Sequence, residues 1–362
     1  MGLRLLIRPV NFFLLLLLFS SNTAFGNFFR NNNIFLMPVI FYSSDTGTGF
    51  GASAIYLYNT ESSNNTNQIW TTGCYTTKKH ILMSTQIEHN FNSRLKSSID
   101  LVVRKYPGSF YGVGTNSEYD NKEDYLNTCF KVEISCIRKV SSAIWLGPIY
   151  KLVSESISEK KLGGMLDSGI YGSGSTLSSG LGYTAIYDTR DHEFYPSSGT
   201  MITLKQLVYL KQLGSDKLHS RHELDFRQFV QLYGENILAF QSISKLADGD
   251  TPVLQLPGIG NDNIFRGYHA GRFRDKILTI AQLEYRFPIW RRLKGTVFGA
   301  TATLADKLAL LSTTNLKNAG GVGLRFALVP EKKIHLRLDF TWNDLSGDEN
   351  VTGIYLQFKE AF

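Results

Sequence analysis

The residues best equipped for chemistry fall into a few short groups. Asp188, Arg190 and Asp191 crowd one segment, with Pro196 and Gly199 close behind. Two carboxylates flanking an arginine are the raw material of general acid–base catalysis. Asp side chains that cap a bend, together with Pro and Gly, also make an ordinary solvated turn, and a turn accounts for all five residues. His219 and His222 stand three apart on a predicted strand, so they project to opposite faces and do not chelate one metal ion. His192-Glu193 lacks the second His of a zinc-protease helix, and Gly172-Ser173-Gly174-Ser175 is a Gly/Ser loop, not a nucleophile elbow. No phosphate-cradling loop with its Lys is present. The expectation is a non-enzyme with no catalytic residue, no metal and no cofactor.

Arg266 and Glu284 raise a different possibility, a built ion pair. Arg266 sits in Phe265-Arg266-Gly267-Tyr268 within a long polar loop, and a strand ending at Pro288 follows. Leu278, Ile280, Gln282, Glu284 and Arg286 occupy one face of that strand, because successive side chains point to opposite sides. Ile277, Thr279, Ala281, Leu283, Tyr285 and Phe287 form the other, almost wholly apolar face. An arginine fork binds a carboxylate through two hydrogen bonds, and Gly267 lets the backbone turn sharply beside it. From these residues alone, a solvated loop explains Arg266 as well as a built contact does.

The elements that must position these groups are strands. Alternation and turn residues predict sixteen, over 34–43, 48–59, 66–77, 80–90, 93–104, 125–138, 141–153, 178–188, 199–211, 220–232, 235–247, 276–288, 294–304, 319–329, 333–343 and 352–362. Most have the length of a tilted membrane-crossing strand, about 9–11 residues or slightly more. Polar faces recur: Glu223, Asp225 and Arg227 oppose Leu224 and Phe226, and His335, Arg337, Asp339 and Thr341 oppose Ile334, Leu336, Leu338, Phe340 and Trp342. Charges lining one side of many strands suit a wet lumen with the apolar side turned to lipid, so a transmembrane barrel is favoured over a soluble sandwich. Connections alternate in length. The long ones include 105–124, 154–177, 248–275 and 305–318, and the short ones 91–92, 139–140, 233–234 and 330–332, with 60–65 and 189–198 longer than their class. Trp70, Trp145, Trp290 and Trp342 fall near predicted strand ends, where interfacial girdles sit. In the last strand Ile354, Leu356, Phe358 and Phe362 share a face that Glu360 interrupts.

Composition agrees with an exported membrane protein. Of 362 residues, the first 26 read as a signal peptide: Arg4 and Arg8, an apolar run from Phe12 to Phe19, then Ala24-Phe25-Gly26. That run is too short for a spanning helix, and no later stretch reaches the roughly 20 apolar residues one needs. Without residues 1–26 the chain keeps 36 basic against 31 acidic residues, a net charge of about +5 spread along its length, and no nucleic-acid partner is expected. Cys129 and Cys136 point to opposite faces of one strand, and with Cys74 they are expected as free thiols.

Four blocks carry a resemblance. Gly182-Tyr183-Thr184-Ala185-Ile186-Tyr187-Asp188-Thr189-Arg190-Asp191 with Phe194-Tyr195-Pro196-Ser197-Ser198-Gly199-Thr200 resembles the central strand–turn–strand block of the bacterial surface antigen family, also called Omp85 or BamA/TamA-like. Phe265-Arg266-Gly267-Tyr268 is similar to its Arg-Gly-aromatic loop, Glu284-Tyr285-Arg286-Phe287-Pro288 to the strand after it, and Tyr106-Pro107 with Phe110-Tyr111-Gly112-Val113-Gly114 to an earlier block. The resemblance implies a sixteen-stranded antiparallel transmembrane barrel over 27–362 whose sixth outer loop folds inward. Its Arg266 then meets acids on the next two strands, Glu284 first. The second acid of the family pattern is replaced by Ala300, in Phe298-Gly299-Ala300-Thr301-Ala302, so only half of that contact carries over.

The resemblance also implies a location in the bacterial outer membrane, with the lipid bilayer, unfolded outer-membrane proteins or secreted clients, and the barrel's own assembly machinery as partners. A terminal aromatic such as Phe362 resembles the signal read by that machinery. The family's periplasmic POTRA modules have no room before the first strand, which puts a full assembly-machine role in doubt. The candidate working seam joins the first and last strands, with Pro38, which has no N–H to donate, and Phe362 as its markers. Insertion of outer-membrane proteins, or export of protein or lipid, is the expected function. The alternative is a passive pore or a structural surface antigen.

Overall fold

The computed structural model describes residues 33–43, 47–60, 63–260, 263–311, 315–330, 333–345, 353–358 and 360–362. The expected signal peptide lies outside them. Sixteen strands follow one another: β1 (Ile34–Ser43), β2 (Gly47–Thr60), β3 (Ser63–Thr76), β4 (Ile81–Asn92), β5 (Leu95–Phe110), β6 (Glu123–Lys139), β7 (Ile144–Ser158), β8 (Ser175–Asp188), β9 (Gly199–Tyr209), β10 (His219–Gln231), β11 (Ile237–Gly249), β12 (Ile277–Trp290), β13 (Leu293–Ala305), β14 (Lys317–Val329), β15 (Ile334–Asn343) and β16 (Gly353–Phe358). They form one antiparallel sheet in simple sequence order, with β1 and β16 at the two ends of that order.

Burial is inverted relative to a soluble protein. On β14, Val322, Leu324 and Phe326 are exposed while Arg325 is buried completely. On β15, Arg337, Asp339 and Thr341 are fully buried, and Phe340 and Trp342 are exposed. On β12, Glu284 and Arg286 are buried while Leu283 and Tyr285 are exposed. Water would penalise that arrangement; a hydrocarbon exterior stabilises it, at roughly 25 cal/mol for each Å² of apolar surface removed from water.

Several sequence expectations are corrected. β5 runs to Phe110, through Pro107, instead of stopping at 104. β4 pairs with β5 only as far as Lys105, so Pro107, opposite Leu126 of β6, has a partner strand on one side only and its missing N–H breaks no second ladder. β3 begins at Ser63, within the expected 60–65 loop. Trp70 and Trp145 are not girdle residues. Trp70 stands opposite buried Ile55 and its indole N–H donates to Ser53 Oγ at 2.9 Å. Trp145 is buried, with Lys96 Nζ 4.5 Å from its ring. Strand parity turns both inward, whereas Trp290 and Trp342 are exposed. Cys74 and Cys129 are buried, Cys136 is exposed, and all three are free thiols.

The interior has two unlike halves. Along β4–β10 a cavity of about 740 Å³ is lined by polar groups that include Lys96, Glu133, Lys205, Glu223 and Asp225. Along β11–β15 the inner wall is covered by the segment between β11 and β12, whose Ile259, Phe265, Tyr268 and Phe273 pack with Ile243, Leu278, Ile280, Ala302 and Leu304. Replacing Leu324 by Arg, mid-way along the exposed face of β14, is expected to remove about 2–4 kcal/mol of stability, read as a lower urea midpoint in lipid vesicles. Ser98→Lys, on the wet cavity wall, should leave that midpoint nearly unchanged.

Candidate functional site

The described residues of 250–260 and 263–276 form a folded hairpin. Gly258 bridges Arg274, Ile259 N–H donates to Phe273 O at 3.1 Å, and Gly271 N–H donates to Ile259 O at 2.8 Å. Its tip carries Phe265 at φ 58° and Gly267 at φ 105°. A Cβ on Gly267 would lie 3.0 Å from Trp342 O, so the positive φ and the close approach to β15 both require glycine. Gly267 N–H donates to Tyr355 Oη at 3.1 Å, Asn343 Nδ2 donates to Gly267 O at 2.9 Å, and Tyr268 Oη donates to the Asp344 carboxylate. Burial and that carboxylate together raise the Tyr268 phenol above its usual range.

These contacts deliver Arg266 into a buried charge network. Its Nη2 lies 3.1 Å from Glu284 Oε1, its Nη1 meets Asp339 Oδ2, and its guanidinium carbon sits 3.6 Å from the Phe298 ring centroid. The second acid is therefore on β15, 73 residues from the arginine. Ala300 and Ala302, where the family pattern places Asp and Gly, pack against the apolar tip instead. Arg325 holds the network together: Nε to Glu360 Oε2 at 2.7 Å, Nη1 to Asp339 Oδ1 at 2.5 Å, and Nη2 to Glu284 Oε1 at 3.5 Å. A Cβ on Gly323 would fall 2.1 Å from Asp339 Oδ1, so the bare backbone there is what admits the carboxylate. Arg337 Nε lies 3.3 Å from Asp339 Oδ2, and Arg286 Nη2 lies 3.4 Å from Glu284 Oε2.

The base of the hairpin is held by two further loops. Arg272 donates to Ser117 O at 2.9 Å and packs over Tyr111, while Val253 N–H donates to Tyr171 O at 3.0 Å. Phe110, Tyr125, Ile157, Leu166 and Val253 close an apolar cluster between them. Loops 111–122, 159–174 and 250–276 thus form one cover over one end of the barrel.

The described residues of the turn group are tied into local contacts. Asp188 accepts from Arg190 Nε at 2.9 Å and Nη2 at 2.8 Å. Asp191 accepts from the N–H groups of Ser197 and Ser198 at 2.8 and 3.1 Å. Burial alone would raise the Asp191 carboxyl, but the hydrogen bonds from Ser197 and Ser198 hold it below its usual value. Pro196 is buried, and Gly199, at φ 101°, opens β9. The neighbouring Tyr195 is also buried, and its ring lies tilted against His335 with centroids 4.4 Å apart.

The two seam markers part company. Pro38 is exposed in mid-β1, opposite Ala52. Phe362 is not on the last strand, because β16 ends at Phe358. Residues 360–362 are buried inside: Phe362 packs with Phe229 and Ala239, and its carbonyl oxygen accepts from Arg286 Nη2 at 3.0 Å. The expectation that Phe362 shares the outward face of Ile354 is overturned. Glu360, which would interrupt that face, satisfies Arg325 by leaving the strand, and Phe362 follows it. The signal in the sequence was the misplaced Glu360 itself.

A sheet of sixteen antiparallel strands with a charged inner face, an apolar outer face and a loop folded within is a transmembrane β-barrel of the outer-membrane type. The family model for the Omp85 superfamily domain matches residues 35–361, and the chain belongs to that superfamily. Among solved structures it is similar to BamA from Haemophilus ducreyi lacking POTRA domains 1–3, at 13% identity and a TM-score of 0.58, covering 91% of this chain and 69% of that one. It is also similar to CdiB from Acinetobacter baumannii, at 10% identity and a TM-score of 0.55, covering 90% of this chain and 59% of that one. At these identities the likeness shows the fold. No curated protein matches the sequence.

The network predicts an asymmetry. Glu284→Ala leaves three arginines short of a shared carboxylate and should cost about 3–5 kcal/mol of barrel stability. Arg266→Ala removes one buried positive charge from a network rich in them, so it should destabilise the barrel less while exposing 250–276 to protease added outside. Urea midpoints and protease digestion of both variants check this.

Proposed function

We propose that this barrel inserts outer-membrane proteins or exports protein or lipid, without enzymatic chemistry, and that its working element is a pliable edge between β1 and β16. The observation that supports this reading most is the buried Arg266 tip. The tip is tied to the inner wall by Glu284, Asp339, Asn343 and Tyr355, which narrows the route for free passage of solutes on that side. A loop held this way plugs much of the lumen and directs traffic to the edge. An open edge strand there would offer backbone hydrogen bonds to an incoming strand whatever its side chains. β1 and β16 stand at the two ends of the pairing order, which supports a junction unlike the others. On this reading the lipid bilayer and unfolded or secreted client chains are the partners, and residues 1–26 direct export.

A second reading is a passive pore, favoured by the polar cavity of about 740 Å³ beside β4–β10. Depleting the protein and taking a census of outer-membrane barrels separates the two, together with single-channel recording. Broad loss of other barrels and small unstable currents are the expected results. A normal census with a steady open conductance would establish the pore. A disulfide joining β1 to β16 should abolish insertion and regain it on reduction.

A further inference from the structure

We propose that Glu360 and Phe362 form an inner latch that sets whether the Arg266 loop stays docked, coupling the two mouths of the barrel. The argument is one of charge and attachment. Among the described residues, the network buries four arginines, Arg266, Arg286, Arg325 and Arg337, against the carboxylates of Glu284, Asp339 and Glu360. Arg325 and Arg337 are forced side by side, since they are direct partners in the β14–β15 register. Like charges so placed repel unless acids lie between them.

Glu360 is the acid with the least anchorage. Glu284 and Asp339 belong to β12 and β15, whereas Glu360 reaches Arg325 only because residues 360–362 turn inward beyond β16. Phe362 secures that turn through Phe229, Ala239 and the Arg286 guanidinium. When this segment is drawn off the wall, the four described arginines lose one of the three carboxylates named above, and Arg325 loses its 2.7 Å partner. Arg286, Arg325 and Arg337 are fixed by the hydrogen-bond ladders of β12, β14 and β15, so relief requires breaking a ladder or expelling Arg266. Arg266 alone sits on a loop, and it is the one that leaves. Glu284 Oε1 faces both Arg266 and Arg325, and Asp339 divides its oxygens between them, Oδ2 to Arg266 and Oδ1 to Arg325, so both arginines draw on the same two carboxylates. A strand that captured β16 would thereby release the cover at the opposite mouth. The coupling stands whether or not the barrel inserts clients.

Hydrogen exchange read by mass spectrometry on the full chain folded in detergent micelles tests it. Glu360→Gln keeps shape and removes the charge, and it should raise amide exchange across 263–268 by about fivefold or more, the low end of a typical coupling between sites. Glu223→Gln, whose carboxylate pairs with Lys245 at 3.3 Å outside this network, is the control and should leave 263–268 unchanged. The reverse arm uses Arg266→Ala. Without Arg266, Glu284 and Asp339 are left to Arg325 and its neighbours, so the pull on Glu360 weakens and exchange at 360–362 should rise by a similar factor. Folding of each variant is checked by its heat-dependent gel shift. If Glu360→Gln does not fold, the reverse arm alone decides. A folded Glu360→Gln chain with 263–268 unchanged, or a folded Arg266→Ala chain with 360–362 unchanged, overturns the latch.

Discussion

Charge held away from water is the constraint on which this structure turns. A buried guanidinium is tolerated only when carboxylates and hydrogen-bond acceptors surround it, since the attraction must offset a desolvation penalty of several kcal/mol for each ion. Arg325 meets that condition with three acids drawn from three separate places in the chain. Each acid then serves a second purpose: Glu284 and Asp339 receive the loop arginine, and Glu360 pulls the end of the described chain inward. The inner wall, the long loop and residues 360–362 are thus one electrostatic unit.

That unit explains the division of the interior. Where the network lies, along β12–β15, apolar side chains of the loop tip fill the space above it and water has little access. Where acids and lysines pair in small sets, as Glu133 does with Lys151 and Lys205 at 2.7 and 2.8 Å, the wall stays open to a polar cavity. The same alternating strands build both halves. The difference is whether a loop returns over them.

Small residues decide where close approach is possible. Gly267 lets the loop lie on β15, Gly323 lets Asp339 reach Arg325, and the alanines at 300 and 302 make a seat for Phe265 and its neighbours. An acid at position 300 would compete with that apolar packing. In this chain Asp339 supplies the second carboxylate, with the Phe298 ring as a platform under the guanidinium.

Much was legible in the sequence because the side-chain period of a strand is local. Alternation alone placed Glu284, Arg325, Arg337 and Asp339 on inner faces and Leu283, Leu324 and Phe340 on outer ones, and it counted the strands. What alternation does not contain is which distant strands share a point in space. The pairing of Arg266 with Asp339 depends on a hairpin that crosses the lumen and on the register of β14 and β15. The inward turn of residues 360–362 depends on a buried cation that only the assembled wall presents. Trp145 lies near a strand end, as girdle residues do, and Trp70 in mid-β3, yet parity set against their neighbours turns both inside. The sequence by itself determined the faces; the folded geometry of loop and wall decided the partners, because electrostatic satisfaction in a buried site is a sum over groups far apart in the chain.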